Sequence, residues 1–164
     1  MNLAVLTVSD TRTLADDRSG GYLAHALQEA SHTLHEHAIV ADDIAAIRAR
    51  ICAWRDAGDV DAVIMTGGTG ITGRDLTPEA LDPLWTRQLP GFGELFRWLS
   101  YADIGAATIQ SRACAGVVGA MLVFCLPGST GACELGWSKI LHSQLDPETR
   151  PCNFAMLMPR LREV

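Results

Sequence analysis

Three runs of near-uninterrupted apolar residues, Leu3–Val8, Ala62–Thr66 and Met121–Leu126, punctuate the chain. Short runs without alternation predict strands buried on both faces, as in a parallel sheet. Each ends in turn formers: Ser9-Asp10, Gly67-Gly68 and Pro127-Gly128-Ser129. After each, the apolar spacing becomes helical. Leu23, Ala26, Leu27 and Ala30 share a helical face behind Ser19-Gly20, and Ile44, Ile47, Ile51 and Trp54 share another behind Asp42-Asp43. Either of those aspartates can N-cap its helix. Thr77 is the expected N-cap of a further helix, with Pro78 at its first position and Glu79 in its first turn. Ser129 or Thr130 opens a last long helix through Cys133, Leu135, Trp137, Ile140 and Leu141. Leu34–Val40 predicts another strand, with His35 and His37 on one face. The rhythm of strand, loop and helix predicts one domain over residues 1–164. Its expected fold is a three-layer α/β/α arrangement around a mostly parallel, doubly wound sheet.

Composition narrows the partners. The net charge is −6 and only one of the 13 basic residues is a lysine, Lys139. A broad basic face for nucleic acid is not expected, because backbone binding needs clustered positive charge. No apolar run approaches the ~20 residues that cross a bilayer, and the N-terminus has no leader-like pattern. The five cysteines form no CxxC pair, and Cys52, Cys114 and Cys125 lie in apolar stretches where a thiol acts as a small core residue. A reduced, cytoplasmic setting fits this usage. Around Gly93–Ser100, the residues Phe92, Leu95, Phe96, Trp98 and Tyr101 offer more apolar surface than one short helix usually buries, which points to core packing or to an interface.

The candidate chemistry lies at the strand ends. Thr66-Gly67-Gly68-Thr69-Gly70 follows an apolar strand, where glycines can aim consecutive N–H groups into an anion nest. Open α/β sheets bind ligands at that edge. Asp75 beside an anion site makes sense if a cation bridges them, and Mg²⁺ with phosphate oxygens is the usual case. Gly68–Gly73 matches GxGxxG, but Arg74–Thr77 intervene before a helix can start, which argues against a dinucleotide fingerprint. The same glycines have P-loop spacing, yet Arg74-Asp75 replaces the lysine and hydroxyl of that motif. His32, His35 and His37 invite a zinc reading but lack spaced partners. Asp42, Asp43, Ser9 and Asp10 also follow strands and would face the same crevice.

With these residues assembled, the whole chain resembles the MoaB/MogA family of molybdenum cofactor biosynthesis proteins. The resemblance rests on Thr7–Arg12, Asp17–Gly20, Thr66–Gly70, Asp75–Ala80, Pro90–Glu94, Ser111-Arg112 and Leu126–Ser129. The ending from Leu145-Asp146 to Thr149–Phe154 looks like the MoaB branch. The resemblance implies adenylylation of molybdopterin from MgATP, giving adenylyl-molybdopterin and pyrophosphate, with a later metal-insertion protein taking the product. By position it implies catalytic and Mg²⁺-holding roles for Asp42 and Asp75, Asp43 being the alternative to Asp42. It implies an anion nest of Gly67, Gly68, Thr69 and Gly70. Ser9, Asp10, Pro127, Gly128 and Ser129 would line the pterin and phosphate pocket, with Glu79 as a further contact. It also implies a homotrimer or a hexamer of paired trimers. A catalytically silent molybdopterin carrier or a scaffold is the alternative function.

Overall fold

The computed structural model describes residues 1–163. Its six strands are β1 (Asn2–Val8), β2 (Thr33–Val40), β3 (Ala62–Thr66), β4 (Arg87–Gln88), β5 (Cys114–Val118) and β6 (Met121–Leu126). They form one sheet in the order β2-β1-β3-β6-β5-β4. β2, β1, β3 and β6 run parallel, whereas β5 and β4 continue the sheet antiparallel. The uninterrupted apolar runs of β1, β3 and β6 are explained by this placement: they occupy the middle and are buried on both faces.

Helices cover the two faces. On one side α1 (Arg18–Glu29), α4 (Pro90–Ile104), α5 (Thr130–Gly136), α6 (His142–Leu145) and α7 (Phe154–Leu161) pack Leu23, Leu27, Phe92, Phe96, Cys133, Leu145 and Met158 against Leu3, Val5, Ile64 and Phe124. On the other, α2 (Ile44–Ala57) and α3 (Thr77–Leu81) pack Ile47, Ile51, Trp54, Ala80 and Leu81 against Leu6, Val63, Met65 and Cys125. The result is the expected three-layer α/β/α arrangement. The C-terminal segment is held by α7, with Phe154 beside Phe124.

One open alternative is settled and three local expectations change. Asp43, not Asp42, caps α2, accepting from the Ala46 N–H at 2.8 Å. Thr77 does not cap α3; its hydroxyl donates to the Gly67 carbonyl at 3.0 Å. His35 and His37 do not share one set of partners. A register irregularity skips His35, so Leu34 packs toward α1 while Glu36 accepts from Trp54 and Arg50 of α2. His35 sits against Asn2 and Asp59, and His37 against Asp17. A β-bulge breaks the period of two in this way. Finally, Cys52 and Cys114 are half-buried, and only Cys125 of those three thiols lies fully in the core.

Candidate functional site

β1, β3 and β6 end at the same edge, and the chain leaves β1 toward β2 on one side and later returns to β3 on the other. Such a reversal opens a crevice at the carboxyl edge of the sheet. Gly67 and Gly68 adopt φ of +103° and +63° there. Both values are natural for glycine and strained for other residues. The turn brings Gly67 against the Val8 carbonyl, and a Cβ on Gly68 would lie 2.7 Å from Asp42 Oδ1.

Every carbonyl of this turn is already bonded. The Thr77 hydroxyl and N–H donate to Gly67 and Gly68, at 3.0 Å each. The Arg112 N–H and Nε donate to Thr69 and Gly70, at 2.9 and 2.6 Å. Arg112 Nη2 reaches the Asp75 carbonyl at 2.6 Å, and Nη1 pairs with Glu79. The N–H of Gly67 donates to Leu126. Among the described residues, no hydrogen bond uses the N–H of Gly68 or Thr69. A backbone with bonded carbonyls and unspent N–H groups is an anion nest.

The crevice has two chambers. The larger, about 550 Å³, is lined by Gly67, Gly68, Thr69, Gly70, Asp75, Pro127, Gly128 and Ser129, and is walled by Phe96 and Ile104 of α4. Its size suits a small-molecule site, for which about 300–1,000 Å³ is usual. The smaller, about 290 Å³, collects Ser9, Asp10, Asp42, Arg12, Arg74 and Gly128. Ser9, Asp10 and Asp42 therefore stand apart from the main pocket, and the chambers adjoin at Gly128, which lines both. Glu79 lines neither chamber and is engaged with Arg112.

The carboxylates differ. Asp75 Oδ2 accepts the Thr72 N–H and hydroxyl at 2.8 and 2.7 Å. The Thr72 side-chain bond, foremost, holds its carboxyl below the ordinary value. Asp42 is pushed above its ordinary value, first by burial and then by the charges of Asp10 and Asp75, against the opposing Leu76 N–H. Its Oδ1 is buried with no hydrogen-bond partner. An orphaned carboxylate oxygen beside an anion nest fits a divalent cation shared with phosphate oxygens. Among the described residues no group of three or more His, Cys, Asp or Glu could hold a metal. Any Mg²⁺ here would therefore be completed by substrate and water.

Sequence reasoning assigned no role to four supports. Arg112 stands in a motif of the family resemblance and Arg74 in the glycine-rich stretch, but neither position indicates its partner; Arg74 pairs with Asp10 at 2.7 Å. Asp17 caps α1 through the Gly20 N–H at 3.0 Å, and also accepts from Thr7 at 2.5 Å and meets His37 at 2.9 Å. Arg12 bridges Asp17 and Ser19 to the Gly128 carbonyl, joining the β1 and β6 loops. Burial pushes the Asp17 carboxyl up, but the Thr7, Gly20 and His37 bonds outweigh it and hold it below the ordinary value. The stabilisation is therefore complete above the unfolded carboxylate's pKa of about 3.9 and is lost as pH falls through the lower folded value. Asp17→Asn is expected to cost about 2–4 kcal/mol at pH 7. In urea titrations, the gap from the parent protein should narrow below about pH 4.

Comparison with known proteins agrees with this geometry. Residues 4–147 match the family described as probable molybdopterin binding domain. Molybdenum cofactor biosynthesis protein B of Escherichia coli (strain K12) is 52% identical over 152 residues, covering 93% of this chain and 89% of that protein. A crystal structure of a molybdenum cofactor biosynthesis protein B superposes with a TM-score of 0.88 at 39% identity, covering 98% and 94% of the two chains. A MogA structure superposes with a TM-score of 0.81 at 25% identity, covering 98% and 99%. The chain thus belongs to the MoaB/MogA family of molybdenum cofactor biosynthesis proteins, on its MoaB branch.

Proposed function

We propose that this protein transfers AMP from ATP to the terminal phosphate of molybdopterin, releasing pyrophosphate. The observation that carries this reading is the pairing of unspent N–H groups at Gly68 and Thr69 with the orphaned, buried Asp42 Oδ1 beside them. One end receives phosphate oxygens and the other receives the cation that accompanies them.

The larger chamber suits the pterin. Phe96, Ile104 and Leu135 offer an apolar wall for a flat ring, and Ser100, Asp103, Thr108, Gln110 and Ser111 offer polar contacts. In the reaction a phosphate oxygen of the pterin attacks the α-phosphorus of ATP, and the bond to the β-phosphate breaks. The attacking phosphate is already ionised, so the residues position and neutralise rather than remove a proton. The Gly68 and Thr69 N–H groups hold phosphate oxygens, and Arg112 keeps that turn in shape by bonding its carbonyls. Asp42 and Asp75 would hold Mg²⁺, which when bound neutralises charge on the phosphates. Arg12 and Arg74 bring positive charge to the smaller chamber, where nucleotide phosphates can reach Asp42. The decisive assay is pyrophosphate release from MgATP with and without molybdopterin. Molybdopterin-dependent release supports the transferase; tight pterin binding with no release would assign a carrier instead.

We further infer that the chain self-associates through α4. Leu95, Trp98 and Tyr101 form an outward apolar stripe, with Trp98 73% and Tyr101 62% exposed, while Phe92 and Phe96 of the same helix are core residues. Exposed patches of this kind usually mark interfaces. Trp98→Glu is expected to shift the solution mass, measured by light scattering, from a trimer or hexamer toward the monomer. No helix among the described residues is long and apolar enough to cross a membrane.

A further inference from the structure

On the sheet's antiparallel side, β5 and β6 place Cys114 directly opposite Cys125. Residues paired in this way project from the same face with Cα atoms about 4.5–5.5 Å apart. That spacing lies within the span of about 4.4–6.8 Å that a disulfide bridges without backbone movement. Both cysteines are free thiols.

Their surroundings are unequal. Cys125 is fully buried, with Sγ 3.8 Å from Met65 Sδ. Cys114 is half-buried and lines a surface cleft with Trp85, Glu94 and Arg97. The neighbouring Cys125 thiol, foremost, and the charges of Arg112 and Arg97 hold the Cys114 thiol below its ordinary value. Burial pushes Cys125 well above its own. Oxidant-sensing thiols combine these features: one reachable sulfur with thiolate character, and a second poised to resolve it.

We propose that Cys114 and Cys125 are a peroxide-oxidisable dithiol, in which Cys114 is attacked first and Cys125 resolves it into an intramolecular disulfide. The Cys114 thiolate attacks one oxygen of hydrogen peroxide, the O–O bond breaks, and the departing hydroxide takes up the thiol's proton as water. Cys114 is then a sulfenic acid. The Cys125 sulfur attacks the Cys114 sulfur, the S–O bond breaks, and the hydroxyl leaves with the Cys125 proton as a second water. Two thiols have lost two electrons, and one peroxide has become two waters. The bridge would form two residues beyond Arg112, the residue that holds the Thr69 and Gly70 carbonyls.

The test treats the full-length protein with hydrogen peroxide, blocks remaining thiols by alkylation, and maps the unreduced digest by mass spectrometry. The expected product has lost two hydrogens, joins the Cys114 and Cys125 peptides, and reverts with dithiothreitol. Exposed Cys152 serves as the comparison thiol. Cys125→Ala, with its fold checked by circular dichroism, should instead accumulate a dimedone-trappable sulfenic acid on Cys114. Cys114→Ser should show neither the bridge nor a trapped Cys125. Oxidation confined to Cys152, a bridge between other cysteines, or Cys114 persisting as a sulfenic acid in the parent protein would overturn the proposal.

Discussion

Asp42→Asn is expected to lower molybdopterin-dependent pyrophosphate release at least about a hundredfold, the scale of losing one preorganised charge-stabilising group. Pterin binding, measured by calorimetry, should largely survive, because Asp42 lies in the smaller chamber. The same variant should be as stable as the parent protein or slightly more so when no metal is present. Burial and the charges of Asp10 and Asp75 raise the Asp42 carboxyl above its ordinary value. An acid raised in the folded state disfavours folding once pH exceeds its unfolded value, so removing its charge relieves that penalty at pH 7. Mg²⁺ should reverse the order: it should raise the melting temperature of the parent protein and leave Asp42→Asn unmoved. Activity in the parent should also fall, as pH is lowered, at a higher pH than an unperturbed carboxylate near 3.9 would give. Asp75→Ala should lose release as well. It is also expected to loosen the Thr72 turn, since Asp75 Oδ2 holds both Thr72 donors. Equal Mg²⁺ stabilisation of the parent and of Asp42→Asn would remove Asp42 from the metal's surroundings.

Gly67→Ala is expected to destabilise the fold by about 2–5 kcal/mol, combining left-handed strain with overpacking. Gly67 sits at φ +103°, and an added Cβ would press into the Val8 carbonyl oxygen. Val8 ends a central buried strand and its neighbourhood has little freedom to yield. Each kcal/mol lowers the midpoint by roughly 2–4 °C at this chain length, so the loss should be on the order of 10 °C in a thermal scan. A shift within a degree or two would show that the turn can relax. The comparison is Gly73→Ala, where a Cβ meets nothing within 4 Å. That variant should be near neutral.

Much of the site was legible before the fold. The runs Leu3–Val8, Ala62–Thr66 and Met121–Leu126 became central strands ending at one edge, because unbroken apolar runs bounded by turn residues have few other stable placements. The Thr66–Gly70 turn and Pro127–Ser129 were recognisable because glycine and proline constrain or free the backbone locally. Other expectations failed where a second partner competed. Thr77 has the chemistry of a cap, but the Gly67 carbonyl takes its hydroxyl. Strand alternation placed His35 with His37, yet the irregularity beside Leu3 and Ala4 broke the period.

Local pattern and composition by themselves determined the parallel strands β1, β2, β3 and β6, the edge at which chemistry gathers, and the turn that carries the anion nest, but not the antiparallel strands β4 and β5. These depend on residues close in sequence, whose preferences act before distant contacts form. Only the tertiary structure decided which aspartate keeps a buried, unpartnered oxygen, that Ser9, Asp10 and Asp42 occupy a chamber of their own, and that Arg112 braces the glycine turn. Arg112 lies 33 to 42 residues from the Gly70, Asp75 and Glu79 groups its side chain holds. Contacts of that range are set by which strands become neighbours in the sheet, and no local periodicity encodes them.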